Sequence, residues 1–125
     1  MTKLLFAIAL GGAAGTLMRF GTGLWLAKES ATAFPLATFL VNIVGCFLIG
    51  LFYALPVRMQ WLTPELRLAL ITGFCGGLTT FSAFAYENLK LLQQGNTTLF
   101  LMYSLGSITV SLLAIIAGMN VLKIF

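Results

Sequence analysis

Four hydrophobic blocks occupy nearly all of this chain, and each is long enough to cross a lipid bilayer as a helix. The blocks run from Lys3 to Ala27, from Pro35 to Leu55, from Pro64 to Leu92 and from Thr98 to Leu122. A helix needs about 20 mostly apolar residues to span a hydrocarbon core of about 30 Å. Charged residues make up 8% of the chain, against about 25% in a typical soluble domain. The sequence therefore predicts one all-α integral membrane domain over residues 1–125.

The connections between the blocks are short, at about Lys28–Phe34, Pro56–Thr63 and Gln93–Thr97. Such connections join antiparallel neighbours, so the helices are expected to run up-down-up-down. Pro56 should end the second helix. Thr63-Pro64-Glu65 is typical of a helix start, with a hydroxyl N-cap, a proline at the first helical position and an acid in the first turn. The pair Gly95-Asn96 suits the end of one helix and the cap of the next.

The basic residues give a weak orientation signal. With both termini on one face, that face carries Lys3, Arg58, Arg67 and Lys123, and the other face carries Lys28 and Lys90. A four-to-two split hardly fixes orientation under the positive-inside rule. Insertion both ways round is therefore compatible with the sequence, which makes an antiparallel homodimer possible. Because the seven basic residues are scattered, the net charge of +4 indicates contacts with lipid phosphates at helix ends and no nucleic acid binding.

The third block admits two interpretations. A straight helix over its 29 residues would be about 43 Å long, which exceeds the hydrocarbon core. Adjacent glycines weaken a helix, and nearby hydroxyls can satisfy freed backbone groups, so one interpretation is a break near Gly76–Ser82. Non-helical backbone inside a membrane survives only in contact with protein or a polar cavity. The other interpretation is a straight helix that packs closely through Gly73 and Gly77.

A polar face on the second block is a candidate for function. Thr38, Asn42, Gly45 and Cys46 share that face at spacings of three and four residues. An unpaired Asn at mid-depth is costly. Asn42 is therefore expected either to clasp another helix through hydrogen bonds or to face water.

Two further patterns have both a packing and a functional interpretation. Tyr103, Ser107 and Ser111 repeat every four residues on the fourth helix, as contacts between helices or as the wall of a wet path. Phe81 and Phe84 share a face of the third helix, which is most often core packing. The functional alternative uses the positive edge of each aromatic ring, which can meet a small anion in a pore.

Arg19 lies inside the first block, on the face that carries Gly11 and Gly15. The two glycines indicate close helix contact. Arg19 is near enough to the end of the block for its side chain to reach the membrane surface. The alternative is an electropositive vestibule that concentrates anions.

The residues needed for catalysis are missing from the sequence. It has no His, and its three acids, Glu29, Glu65 and Glu87, are not placed as a carboxylate pair. Cys46 and Cys75 both lie in mid-block and are expected to be small buried residues rather than ligands of a Cys/His metal site. We therefore do not expect an enzyme.

Three motifs together resemble a known family, the small bacterial fluoride channels called Fluc or CrcB. The run from Gly11 to Phe20 (GGAAGTLMRF) is similar to the opening motif of that family, and the run from Val41 to Phe47 (VNIVGCF) is similar to its second helix. The run from Gly73 to Ser82 (GFCGGLTTFS) matches its broken third helix nearly letter for letter. The resemblance covers nearly the whole chain.

The resemblance implies both an architecture and a function. It implies four transmembrane helices with the third broken near its middle, assembled in the bacterial inner membrane as an antiparallel, dual-topology homodimer with two parallel anion pores. It implies passive export of fluoride that protects the cytoplasm from this ion. Fluoride is small and strongly hydrated, so a pore must replace its water shell with donors while binding it weakly enough to let it leave.

The resemblance also implies roles for individual residues. The positions that match the family's pore are Asn42, Phe81, Phe84, Tyr103 and Ser107, with Ser82 in a polar track; Thr38, on the face of Asn42, is counted with them. The backbone carbonyls of Gly76 and Thr79 match the ligands of a central Na⁺ shared by two subunits. Arg19 matches a basic residue near the pore mouth. In one departure, Ala83 stands where the family usually has a Thr, so the track lacks a hydroxyl.

Two other functions compete with a fluoride channel. A small multidrug-resistance-type transporter has a similar length and four helices, but exchanging protons for cationic drugs needs a carboxylate in the first helix. The block from Lys3 to Ala27 has no acid and carries Arg19. A scaffold protein would conduct no ions and would use Asn42 and the hydroxyls only to hold helices together.

Overall fold

A computed structural model describes residues 1–29, 32–55 and 59–124, so the predictions for Pro56 and Arg58 lie outside the described residues. The described part of the chain is helical and contains no strand. The elements are α1 (Thr2–Glu29), α2 (Leu36–Ala54), α3 (Pro64–Leu68), a π-helical segment (Ala69–Cys75), α4 (Gly76–Leu78), α5 (Phe81–Gln93) and α6 (Thr97–Ile124).

Four membrane-crossing spans result, and they confirm the four predicted blocks. They cover Thr2–Lys28, Leu36–Ala54, Pro64–Gln93 and Thr97–Ile124. Each is long and apolar enough to cross a bilayer. The predicted bounds lie within two residues of these; the second span is one residue shorter at each end, and the first and fourth are longer at both ends.

Local capping explains where the third span begins and ends. Thr63 accepts a hydrogen bond from the Leu66 N–H at 3.2 Å, with Pro64 at the first helical position, as predicted. At the other end, Gly95 takes a left-handed φ of 74°, which glycine adopts without steric cost. Asn96 then accepts the Leu99 N–H through Oδ1 at 3.3 Å and so caps α6.

The third span departs from a regular α-helix in two places. Ala69–Cys75 forms wider π-helical turns. Thr79 (φ −84°, ψ 155°) and Thr80 (φ −151°, ψ 123°) have extended backbones between α4 and α5. This second departure covers two residues, within a span that continues from Pro64 to Gln93.

Glycines bring the first and third spans into backbone contact. A side chain at Gly11 or Gly15 would collide with main-chain atoms of the π-helical segment, and one at Gly73 or Gly77 would collide with main-chain atoms of α1. The predicted small-residue packing is confirmed. Because residue numbers rise together along this seam, α1 and the third span run in the same direction, as alternating helices require.

A second glycine seam joins α2 to α6. A side chain at Gly50 would collide with the backbone of Ile115, and one at Gly118 would collide with the backbone of Phe47. This second seam was not among the predictions from sequence. The two seams divide the bundle into two parallel helix pairs, and polar residues lie where the pairs meet.

Buried polar residues are a notable part of the interior. Thr38, Asn88 and Ser107 are buried, and Tyr103 is fully enclosed. Many large apolar side chains, such as Leu112, Leu113 and Ile116, are exposed on the outer surface of the chain. This arrangement suits a protein surrounded by lipid, where polar groups must find partners inside the protein.

Candidate functional site

Asn42 of α2 is fixed by two hydrogen bonds to the extended residue Thr80. Its Nδ2 donates to the Thr80 carbonyl oxygen at 3.1 Å, and its Oδ1 accepts the Thr80 N–H at 2.7 Å. The amide thereby satisfies both backbone groups of a residue that has left the helix. This geometry matches the helix-clasp interpretation of Asn42.

Asn42 and Thr80 also take the N–H groups that would otherwise bond to the carbonyl oxygens of Gly76 and Thr79. In a continuous helix, the Thr80 N–H would point at the Gly76 carbonyl and the Ala83 N–H at the Thr79 carbonyl. The Thr80 N–H bonds to Asn42 instead, and the Ala83 N–H bonds to Thr80 Oγ1 at 3.2 Å. The oxygens of Gly76 and Thr79 therefore lose the partners that a helix would give them.

Two cavities lie along the described part of the third span, and the larger of the two, about 290 Å³, is beside this clasp. Its lining residues include Asn42, Cys46, Thr79, Thr80, Phe81, Phe84, Ser107 and Ser111. Ser107 is 6% exposed, and its hydroxyl has no hydrogen-bond partner among the described residues. A buried hydroxyl without a partner in the wall of a mostly apolar cavity leaves an O–H free for a small ligand.

The two phenylalanines have different surroundings. The rings of Phe81 and Phe84 have centroids 5.8 Å apart with their planes tilted by 45°. Phe84 is partly buried and meets the Tyr103 ring edge-on at 5.1 Å. Phe81 is 79% exposed on the surface of the single chain. Phe84 therefore belongs to the interior, whereas Phe81 lies at the edge of the cavity.

Glu87 is the functional candidate that the sequence analysis missed. Its two carboxylate oxygens accept hydrogen bonds from Thr38 Oγ1 at 2.6 Å and from the Tyr103 hydroxyl at 2.7 Å. The carboxylate thus joins α2, α5 and α6. The spacing of Glu87 three residues beyond Phe84 was the available signal. Tyr103 and Thr38 both direct their hydroxyl protons to Glu87.

A smaller cavity of about 240 Å³ holds the predicted vestibule residue. Arg19 lines it together with Thr38, Thr80 and Ala83. The Nε of Arg19 donates to the Gly77 carbonyl oxygen at 3.0 Å, so the side chain is held against the third span. Thr80 lines both cavities.

Besides Phe81, two further predicted residues face the outside of the single chain. Ser82 and Gly76 are exposed, and within the described part of the chain neither lines these two cavities. The Ser82 hydroxyl lies 3.2 Å from Thr80 Oγ1. Residues 1–29, 32–55 and 59–124 contain no cluster of three or more His, Cys, Asp or Glu residues, so a cation here would need backbone or hydroxyl oxygens.

The chain is similar to known proteins over its whole length. A family model described as "CrcB-like protein, Camphor Resistance (CrcB)" matches residues 6–119. A protein from Flavobacterium psychrophilum is 44% identical over 97% of this chain and 98% of its own. A protein from Pseudomonas fluorescens is 44% identical over 99% of this chain and 100% of its own. One from Azobacteroides pseudotrichonymphae is 38% identical over the full length of both. All three relatives bear the name fluoride-specific ion channel FluC.

Proposed function

Because the chain belongs to the CrcB family, we propose that it is a fluoride-selective ion channel that lets fluoride leave the cell passively across the bacterial inner membrane and so protects against its toxicity. The observation that carries the proposal is full-length similarity to relatives named as fluoride channels. The cavity chemistry supports it, since the Ser107 hydroxyl, which has no partner among the described residues, lies in the same cavity wall as a pair of aromatic rings.

The two cavities suggest the order of events along the path. An anion would enter beside Arg19, whose positive charge attracts it. Thr80 lines both cavities and so links this entrance to the larger one. There the Ser107 hydroxyl can replace water as a donor. The second Nδ2–H of Asn42, which the bond to the Thr80 carbonyl does not use, can do the same.

The aromatic rings supply a weaker attraction along the same path. The edges of Phe81 and Phe84 carry partial positive charge. An ion held by ring edges and single hydroxyls is bound well enough to enter and weakly enough to leave. Ala83 contributes a methyl group to the smaller cavity, where a hydroxyl would add a further donor.

The assembly that we propose is an antiparallel, dual-topology homodimer. Phe81, Gly76 and Ser82 are exposed on the single chain although all three match the family's functional positions. A second copy packed against this face would enclose them and would complete the wall around Phe81. The weak charge bias of the sequence is compatible with insertion in both directions.

We also propose a central Na⁺ between the two subunits. The two extended residues, Thr79 and Thr80, would then act as a functional break in the third span. The carbonyl oxygens of Gly76 and Thr79, which lack their usual helical hydrogen-bond partners, are the ligands that would hold the ion. Carbonyl oxygens are ligands that hard cations accept. A bound Na⁺ would supply a fixed positive charge between the subunits.

A proton-coupled multidrug transporter is not favoured. Residues 2–28 contain no acid and carry Arg19, and the relatives named above are channels.

Flux from liposomes tests the proposed function. Purified protein in vesicles loaded with potassium fluoride should release fluoride once a K⁺ ionophore removes the charge imbalance, as recorded by a fluoride electrode. Chloride-loaded vesicles should keep their contents. Equal chloride release, or fluoride release that requires a proton gradient, would contradict a passive and selective channel.

A further inference from the structure

Two amide side chains hold α5, one on each side of the Phe81–Phe84 pair. On the N-terminal side, Asn42 bonds the main chain of Thr80 at two atoms. On the C-terminal side, Asn88 of α5 accepts a hydrogen bond from Ser104 Oγ of α6 at 2.8 Å. Asn88 is 6% exposed, so its amide depends on partners within the protein.

Asn88 also bonds the main chain of one of the two phenylalanines. Its Nδ2 donates to the carbonyl oxygen of Phe84 at 2.9 Å, one turn earlier in α5. The Phe84 ring contacts Tyr103, which is the neighbour of Ser104 in α6. Ser104, Asn88, Phe84 and Tyr103 therefore form one connected set of contacts between α5 and α6. The Phe84 ring, which lines the larger cavity, belongs to this set.

A second bond lies next to this one. Glu87 and Asn88, successive in α5, bond to Tyr103 and Ser104, successive in α6. Successive residues of a helix point about 100° apart, because a turn has 3.6 residues. Two such bonds fix the rotation of α5 about its own axis as well as its height along α6.

We propose that Asn88 and Ser104 are positioning residues for fluoride conduction, which set the rotation of α5 and so the angle at which the Phe84 ring edge faces the anion. The inference rests on the proposed channel function. Neither residue meets the ion; both act through Phe84. The electric field of a ring depends on its orientation, since its edge is positive and its face negative. A small rotation of α5 would therefore weaken the attraction for the anion without changing the volume of the cavity much.

Ser104→Ala is the first test, because it removes one oxygen and leaves Asn88 Oδ1 without its donor from α6. In fluoride-loaded liposomes, we expect flux per folded protein to fall by about tenfold, with a similar loss for Asn88→Leu. Ser104→Thr keeps the hydroxyl and should keep the flux near the wild-type value. Size-exclusion chromatography measures the folded fraction of each variant.

Asn120→Leu is the matched control for Asn88→Leu. Asn120 makes the same kind of bond one turn back along its helix, from Nδ2 to the Ile116 carbonyl oxygen at 2.7 Å, but it is exposed. Loss of this amide should leave the flux unchanged.

A double variant separates positioning from general packing. If Ser104 acts through the ring, adding Ser104→Ala to Phe84→Ile should cause no further loss of flux, because the two effects are coupled. An equal fractional loss in both backgrounds would overturn the inference, as would wild-type flux in both Ser104→Ala and Asn88→Leu. Both of these results leave the channel function intact. A wild-type protein that passes no fluoride would overturn the channel and the inference together.

Discussion

The side chain of Asn42 both bonds the backbone of the third span and lines the larger cavity. An amide has two N–H donors and an oxygen acceptor. The oxygen and one N–H bond to Thr80, while the residue as a whole lines the larger cavity. The bonds that hold the amide in place also fix the direction of its second N–H. The clasp and pore interpretations of Asn42 are therefore compatible.

The Phe pair gives the prediction that belongs to single residues. Phe81→Ile keeps much of the apolar volume but removes the ring quadrupole. Under the pore interpretation, fluoride flux should fall by at least about tenfold, which corresponds to about 1.4 kcal/mol of lost anion stabilisation. Under a packing role, flux per folded protein should stay near normal, because Phe81 is 79% exposed in the single chain.

Phe84→Ile is the companion to this variant. It should lower flux in the same way, but it also removes the edge-on contact with Tyr103, worth about 0.5–1.5 kcal/mol of stability. The measurement is fluoride flux divided by the amount of correctly folded protein, with thermal unfolding recorded in parallel. Wild-type flux in both Phe variants would leave the ring-edge mechanism without support.

Sequence periodicity could identify some of these residues and not others. Thr38, Asn42 and Ser107 stand out because each is a polar residue in an apolar block. The spacing from Phe84 places Glu87 near the aromatic pair, but its bonding partners could not be predicted, because Thr38 and Tyr103 lie 49 and 16 residues away in sequence. Only the packing of α2 and α6 around α5 brings these three side chains together.

At the scale of elements, the third span combines features that the sequence presented as alternatives. Gly73 and Gly77 pack against the backbone of α1, and Thr79 and Thr80 are nevertheless extended. Span lengths and the Thr63 cap were predictable because they depend on local sequence. The π-helical turns of Ala69–Cys75 were not, because the atoms that pack against them belong to α1.

Gly76→Val tests whether the third span holds an ion or a partner at its centre. A side chain added at Gly76 would meet no atom of the described residues within 4 Å. Its cost within one chain is therefore small. If the proposed dimer and its Na⁺ form, we expect loss of dimer on size-exclusion chromatography or loss of fluoride flux, because a branched side chain would crowd the proposed ion and the partner helix.

Gly21→Val is the control, since Gly21 also has open space around it and lies on α1. Side-chain changes at Thr79 should spare a cation that is held through the backbone. A normal dimer with normal flux in Gly76→Val would argue against an ion at this position.

At the scale of the whole molecule, three residues of the proposed pore and ion site, Phe81, Gly76 and Ser82, are exposed on the single chain. A second copy in the opposite orientation would cover them. We predict that the protein inserts in both orientations. A single cysteine appended to the C-terminus, in a background with Cys46→Ala and Cys75→Ala, should react with a membrane-impermeant thiol reagent from both sides of the membrane. Labelling from one side only would refute dual topology.

The two glycine seams affect how the chain tolerates mutation. At six of the thirteen glycines, an added methyl group would collide with the main chain of a neighbouring helix: Gly11, Gly15, Gly50, Gly73, Gly77 and Gly118. A saturation-mutagenesis screen scored by growth on fluoride would therefore rank these positions beside those proposed to meet the ion. Survival alone cannot tell a residue that joins two helices from one that conducts. The abundance of each variant in the membrane is the second score that separates them.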